Sequence, residues 1–406
     1  MSSPTRAEKS LPRPGQELSA LRRTLHRDAE VGLHLPRTQA TVVDALAGLD
    51  LEVSTGQETT SVVAVLRGNG ARHDQAAAVL LRGDMDALPL TEESGEDFAA
   101  TSGAMHACGH DLHTAGLVGA ARLLSAHRER LAGDVVFMFQ PGEEGYDGAA
   151  VMIAEGVLDA AGVRVGAAYG IHVMSGLLPR GTFATRPGPL MAASSSLFVT
   201  VHGRGGHASR PADAADPIIV AAEMVTALQT MVTRKLDVFD PVVLTVGTFQ
   251  AGTRRNIIPS TATFEATVRT FSATALQTVR NESVRLCRQV AEAHGMNADV
   301  RFEEEYPVTV NSADRVEFAL DTVTDLFGAD RAHRLANPLM GSEDFSRVLS
   351  EVPGAFIFLG ACPEDDWQAA PSNHSPLARF DDSVLPDAAH LLSELAVGEL
   401  DRLSRS

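Results

Sequence analysis

The sequence predicts an α/β protein, with a mainly parallel-sheet catalytic domain, helices on both its faces, and an inserted ferredoxin-like α+β domain. Three observations predict it. Short apolar runs alternate with helical stretches from residue 17 to 187, as in a parallel sheet with crossover helices. Between 188 and 305 the order becomes β-α-β-β-α-β, the split ferredoxin-like motif. The α/β pattern then resumes over 306–406, so the first domain is expected to be discontinuous.

Taken in order, residues 1–16 are rich in Pro, Ser and charge and read as disordered. Residues 76–82, 134–140 and 165–171 are apolar runs of buried-strand length, with a helix expected over 114–127. In the insert, strands are expected at 195–202, 242–249, 261–270 and 298–304, with helices at 217–234 and 273–294. A helix over 314–327, a buried strand at 354–360 and a terminal helix at 384–402 complete the pattern. A chain of 406 residues suits two domains.

Composition narrows the function. The 52 acidic residues against 34 Lys and Arg give a net charge of −18, which repels phosphate backbones and anionic membranes. Aromatic content is 5%, too low for a base-stacking surface, so neither nucleic acid nor membrane is an expected partner. Cys108, Cys287 and Cys362 form no disulfide framework. The N-terminus has no apolar core of signal-peptide length and no apolar run approaches ~18 residues, so a cytoplasmic location is expected.

Polar clusters sit where strands end. Asp84 and Asp86 follow 76–82, Glu143 and Glu144 follow 134–140, His172 follows 165–171, and His374 lies in the loop after 354–360. Ligands of open α/β sheets bind outside the carboxyl ends of strands, so these clusters can converge on one crevice. HACGHDLHTA (106–115) precedes a helix and adds Cys108, His110, Asp111 and His113. Thiolate, imidazole and carboxylate are transition-metal ligands, and the Cys-x-His spacing lets two side chains reach one ion. A plain helix N-terminus capped by acid is the alternative, and the density of His, Cys and Asp favours metal. Adjacent glutamates in PGEEG can divide labour, one on a metal and one as general base. Asp84 and Asp86 read equally as turn residues or as carboxylates behind a metal site. By spacing alone, His207 is a surface-loop histidine and Asn256 a turn former. His26, His34, His73, His127, His202, His294, His333 and His390 have no clustered partner in the sequence and read as structural. No G-x-S-x-G, H-E-x-x-H, P-loop or G-x-G-x-x-G is present.

RGDMDALPL, MHACGHDLHTA, PGEEG, GIHV, GGHASRP, GSEDFS and NHSP occur in that order. Together they resemble the metal-dependent aminoacylase and carboxypeptidase superfamily, over about residues 18–400. The likeness is greatest to the branch of hippurate, auxin-conjugate and N-acyl-amino-acid amidohydrolases. The resemblance implies two divalent metal ions per subunit, zinc or else manganese, cobalt or nickel. It implies Cys108, His110, Glu144, His172 and His374 as ligands, Glu143 as general base and Asp86 as the carboxylate behind the site. It implies that His207, on the inserted domain, holds the substrate oxyanion, that Asn256 contacts substrate, and that a homodimer forms through that domain. The expected activity is hydrolysis of an N-acyl amino acid to a carboxylic acid and a free amino acid. A dipeptidase on the same scaffold and a non-catalytic metal- or ligand-binding protein are the alternatives; the second gives Glu143 nothing to do. Two departures from the superfamily stand out. Asp84 replaces a frequent histidine, which leaves open which group bridges the metals, and HRDAEVG (26–32) lacks the branch's usual proline.

Overall fold

A computed structural model of the protein describes Leu11, residues 17–70 and residues 77–405. The remainder of the expected disordered tail, residue 76 of the first expected strand, and His73 lie outside these. Leu11 departs from that expectation: it is buried, and its backbone N–H donates to Glu394.

The chain divides into two compact units. One runs to Leu190 and takes in Val310–Asn337 and Asp344 onward; the other is Met191–Thr309 with Pro338–Glu343. The expected cuts at 187/188 and 305/306 lie a few residues before these.

The first unit opens with α1 (Glu17–Arg27) and α2 (Pro36–Leu46), followed by β1 (Glu52–Thr55), β2 (Val62–Leu66) and β3 (Ala78–Asp84). Then come α3 (His110–Ala126), β4 (Asp134–Gln140), α4 (Gly148–Ala154), β5 (Ala167–Met174) and β6 (Phe183–Thr185). β3 and β4 are buried along their whole length, as the continuous apolar runs require of strands covered on both faces. β3 pairs in parallel with β4 on one side and β5 on the other.

In the second unit, β7 (Ala193–His202), α5 (Pro217–Lys235), β8 (Val243–Ala251), β9 (Thr261–Thr270), α6 (Ala273–Ala293) and β10 (Asn297–Tyr306) follow the expected β-α-β-β-α-β order. They form an antiparallel sheet in the order β8-β9-β7-β10. Alternate residues Leu197, Val199 and Val201 of β7 face inward and are buried with Val220, Met224 and Leu228 of α5 and Val279 and Cys287 of α6. Both helices therefore cover one face of this sheet. Cys287 lies in this core, and burial pushes its thiol up to about 12. Each helix starts at a side-chain cap: Asp216 accepts from the Ile218 amide and Ser272 from the Ala275 amide.

The chain returns to the first unit with α7 (Ala313–Phe327), β11 (Ala332–Arg334), α8 (Ser346–Glu351), β12 (Gly354–Gly360) and α9 (Leu385–Leu403). The large sheet has the order β1-β2-β4-β3-β5-β12-β6-β11. Its centre, β4-β3-β5-β12, is parallel. The flanks are mixed: β1–β2, β2–β4 and β12–β6 are antiparallel. A Cβ at Gly119 of α3 would lie 2.6 Å from Leu18 and 2.8 Å from Ala389, so the bare glycine lets α1 and α9 close on α3.

Among the described residues, no helix is long and apolar enough to cross a membrane.

Candidate metal centre

The parallel strands deliver the expected residues to one place. Asp84 ends β3 and Asp86 lies just beyond it. PGEEG follows β4, and His374 lies in the loop after β12. His172 differs from expectation in lying inside β5, which runs on to Met174. α3 likewise starts at His110, earlier than the apolar periodicity suggested, so His110, Asp111 and His113 belong to its first turn.

Gly109 makes the Cys-x-His spacing usable. Its φ is +84°, and a Cβ there would lie 2.3 Å from Val173, so only glycine turns the chain with Cys108 and His110 on either side.

The ligand atoms of Cys108, His110 and His172 lie within 4.8 Å of one another, as do those of Cys108, Glu144 and His374, and those of His110, Glu143 and Glu144. Cys108 belongs to both of the first two groups. Its Sγ is 3.4 Å from His172 Nε2 and 3.2 Å from His374 Nε2, and His374 Nε2 is 3.1 Å from Glu144 Oε1.

Ring orientation is fixed from behind. His110 Nδ1–H donates to the Asp86 carbonyl at 2.8 Å, and His172 Nδ1–H donates to the Val173 carbonyl at 2.8 Å. Each ring thereby turns its Nε2 lone pair into the centre, the tautomer a metal ligand needs. His110 Nε2 is buried 3.4 Å from Asp84 Oδ2, and neither it nor buried Glu144 Oε1 has a hydrogen bond of acceptable geometry. Buried polar atoms of that kind are uncommon, and a divalent cation would satisfy both.

Charge points the same way. Burial alone would raise the Cys108 thiol, yet the facing imidazoles, His172 first and then His110 and His374, hold it well below the ordinary thiol range. His374 is raised to about 10 by Cys108 and by the Glu144 carboxylate beside its Nε2. Burial opposes a charge on His110, but Asp84, Asp86 and Cys108 raise it well above the usual imidazole value. The protons held on these rings are the ones a divalent cation would replace. A donor set of one thiolate, three imidazoles and a carboxylate suits a borderline transition metal.

Asp86 pins the glutamate turn, because its two carboxylate oxygens accept the backbone N–H groups of Glu143 and Glu144, each at 3.0 Å. Asp84 is spent on its neighbours, accepting from His113 Nδ1 at 2.6 Å and from Arg82 at 2.7 Å. His113 Nε2 in turn accepts the Val173 N–H at 2.8 Å, so both its nitrogens are engaged and it is no ligand despite its place in the motif.

Several supporting residues lie in the motifs RGDMDALPL, GSEDFS and NHSP, but the sequence assigned them no role. Arg82, 1% exposed, joins Asp84, Gln140 and Asp344, and Asp344 also accepts the Ala149 amide. Asn373 donates to the carbonyls of Cys108 and Val173, tying the His374 loop to β5. His26, expected to stand alone, is corrected. Its ring bonds Asp111 at 2.8 Å and Glu92 at 3.1 Å, and Arg22 bonds Asp111 at 2.6 Å. Burial disfavours a charge on His26, but Asp111 and Glu92 outweigh it and raise the ring to about 9. Exposed His202 and His294 are also paired, with Asp299 at 2.8 Å and Glu223 at 2.7 Å. Asp111, Glu223 and Asp299 come from other helices and strands, and Glu92 from a loop, all out of reach of local spacing.

The other two expected site residues lie in the second unit. His207 and Ile257 face each other in a short antiparallel ribbon, and the Ala208 N–H donates to the Asn256 carbonyl. His207 is exposed, and its Nδ1 accepts from Ser209.

Comparison with known proteins agrees with this architecture. The pattern of peptidase family M20/M25/M40 matches residues 80–397. The chain is 35% identical to thermostable carboxypeptidase 2 of Saccharolobus solfataricus, over 93% of this chain and 94% of that one. It is 36% identical to IAA-amino acid hydrolase ILR1-like 5 of Arabidopsis thaliana, over 93% and 85%. Among solved structures, the Bacillus subtilis YXEP protein, a dinuclear metal binding peptidase from the M20 family, superposes with a TM-score of 0.79 at 30% identity, covering 95% and 98%. The chain belongs to peptidase family M20/M25/M40 and is a metal-dependent hydrolase.

Proposed function

We propose that the protein hydrolyses the amide bond of N-acyl amino acids or similar small conjugates. The observation that carries this is the convergence of Cys108, His110, Glu144, His172 and His374, with buried Glu143 beside them. Those five residues would hold two divalent ions. Zinc is the first candidate, with manganese, cobalt and nickel as alternatives. When bound, such ions supply Lewis-acid polarisation of the carbonyl and make water acidic enough to lose a proton near neutral pH.

The chain's own residues do the rest. Glu143, steadied through its amide by Asp86, accepts the proton of the attacking water as the C–O bond forms. It returns that proton to the nitrogen as the C–N bond breaks, leaving a carboxylate and a free amine. His207 stabilises the oxyanion, and Asn256 contacts the substrate. The inserted domain, residues 188–305, serves as lid and dimerisation domain, and the protein works in the cytoplasm.

Direct assay tests the substrate class. N-acetyl amino acids should be cleaved at least ~10-fold more efficiently (kcat/KM) than dipeptides with a free amine, about the discrimination one well-placed group supplies. The reverse order would make the protein a dipeptidase.

The homodimer is tested by mixing two inactive proteins, Glu143→Ala and His207→Ala. If His207 acts on the partner's site, a mixed dimer has one site with both groups and one with neither. Random exchange makes half the dimers mixed, so about a quarter of wild-type activity should return. No return after exchange is verified by native mass spectrometry would place His207 in its own subunit's site or in none.

A further inference from the structure

Arg254 and Arg255 lie in the connection between β8 and β9, directly before Asn256. The Ile257 N–H donates to the Arg254 carbonyl at 3.2 Å, closing a turn over residues 254–257. The ribbon that pairs Ile257 with His207 fixes this turn beside the histidine. Both arginines are exposed and help line a cavity of about 410 Å³ within the second unit.

Neither guanidinium has a hydrogen bond or ion pair to another described residue. Asp216, which also lines the cavity, accepts the Ile218 N–H through Oδ1 as the cap of α5, and it forms no ion pair with either arginine. The protein carries 52 acidic residues against 34 basic ones, so two adjacent unpaired arginines run against its overall charge. Their mutual repulsion is relieved by an anion, and the guanidinium fork matches a carboxylate in a bidentate pair.

An N-acyl amino acid with a neutral side chain and a neutral acyl group offers one carboxylate to two guanidinium groups. We propose that Arg254 and Arg255 recognise a second carboxylate on the substrate, so that the preferred substrates are dianionic N-acyl amino acids. This rests on the amide-hydrolase reading and on Asn256 touching the substrate. The second carboxylate has two chemical sources: the side chain of an acidic amino acid, or the far end of a dicarboxylic acyl group.

The test compares substrates that differ only in that charge. N-acetylglutamate is matched with N-acetylglutamine, and N-succinylalanine with its terminal amide. Values of kcat/KM are measured at low salt for the metal-loaded wild type, the Arg254→Gln/Arg255→Gln double variant and the corresponding double lysine variant. At least one charged member should be preferred by about 10-fold, the scale of a good charge-assisted contact. The glutamine variant should bring that ratio close to one, the lysine variant should keep part of it, and salt should shrink it in the wild type. The pair that shows the preference identifies the source. A wild type that cleaves charged and neutral members equally, or a preference that survives in the glutamine variant, overturns the assignment while the amidohydrolase reading stands. Cleavage of none of the four substrates overturns that reading, and the arginine assignment with it.

Discussion

Glu143→Gln is expected to lose at least ~100-fold in kcat, the low end for general-base catalysis, with its metal content unchanged. Glutamine keeps the size and one oxygen of glutamate but cannot take a proton at neutral pH. The backbone bond from residue 143 to Asp86 is independent of the side chain, so the turn should stay in place. Glu144 sits on the other side of the same division of labour. It groups with Cys108 and His374, and its Oε1 is buried without a well-formed hydrogen bond. Glu144→Gln should therefore lower the metal bound per chain, and activity only as a consequence. Kinetics and elemental analysis on both variants separate the roles. If both keep full metal and comparable activity, the assignment is wrong.

The difference between these neighbours shows what the sequence carried and what it did not. The strands at 134–140 and 354–360 are apolar along their whole length, and Asp134–Gln140 and Gly354–Gly360 are strands with those bounds. Polar residues just beyond such strands were readable as a crevice because topology puts strand ends together. Local signals were weaker at the sheet's margins. β1 is exposed throughout, and β6 and β11 have three residues each, so none shows a periodicity long enough to read. The groups that hold the site from behind were also hidden. Arg82 reaches Asp344 across 262 positions, and His26 reaches Asp111 across 85. No spacing rule connects residues so far apart. His113 shows the opposite limit. Its place in HACGHDLHTA suggests a ligand, yet Asp84 and the Val173 amide occupy both its nitrogens. Arg254 and Arg255 carry no local signal, because a charge without a partner among the described residues is visible only in the folded chain.

Removing metal should abolish hydrolysis. The donors around Cys108 are brought close together, and the carbonyls of Asp86 and Val173 set the His110 and His172 tautomers, so the stripped protein should keep its fold and rebind metal. Without a cation the thiolate is held by imidazolium partners, and Glu143 has no polarised carbonyl to work on. The most direct measurement is a back-titration. Protein exhausted with a strong chelator is reloaded with zinc, manganese, cobalt or nickel, and cleavage of an N-acyl amino acid is followed against metal bound per chain. The predicted result is no turnover in the stripped protein and a rise that levels off at two ions per chain for at least one metal. Full turnover by protein shown metal-free by elemental analysis would contradict the account.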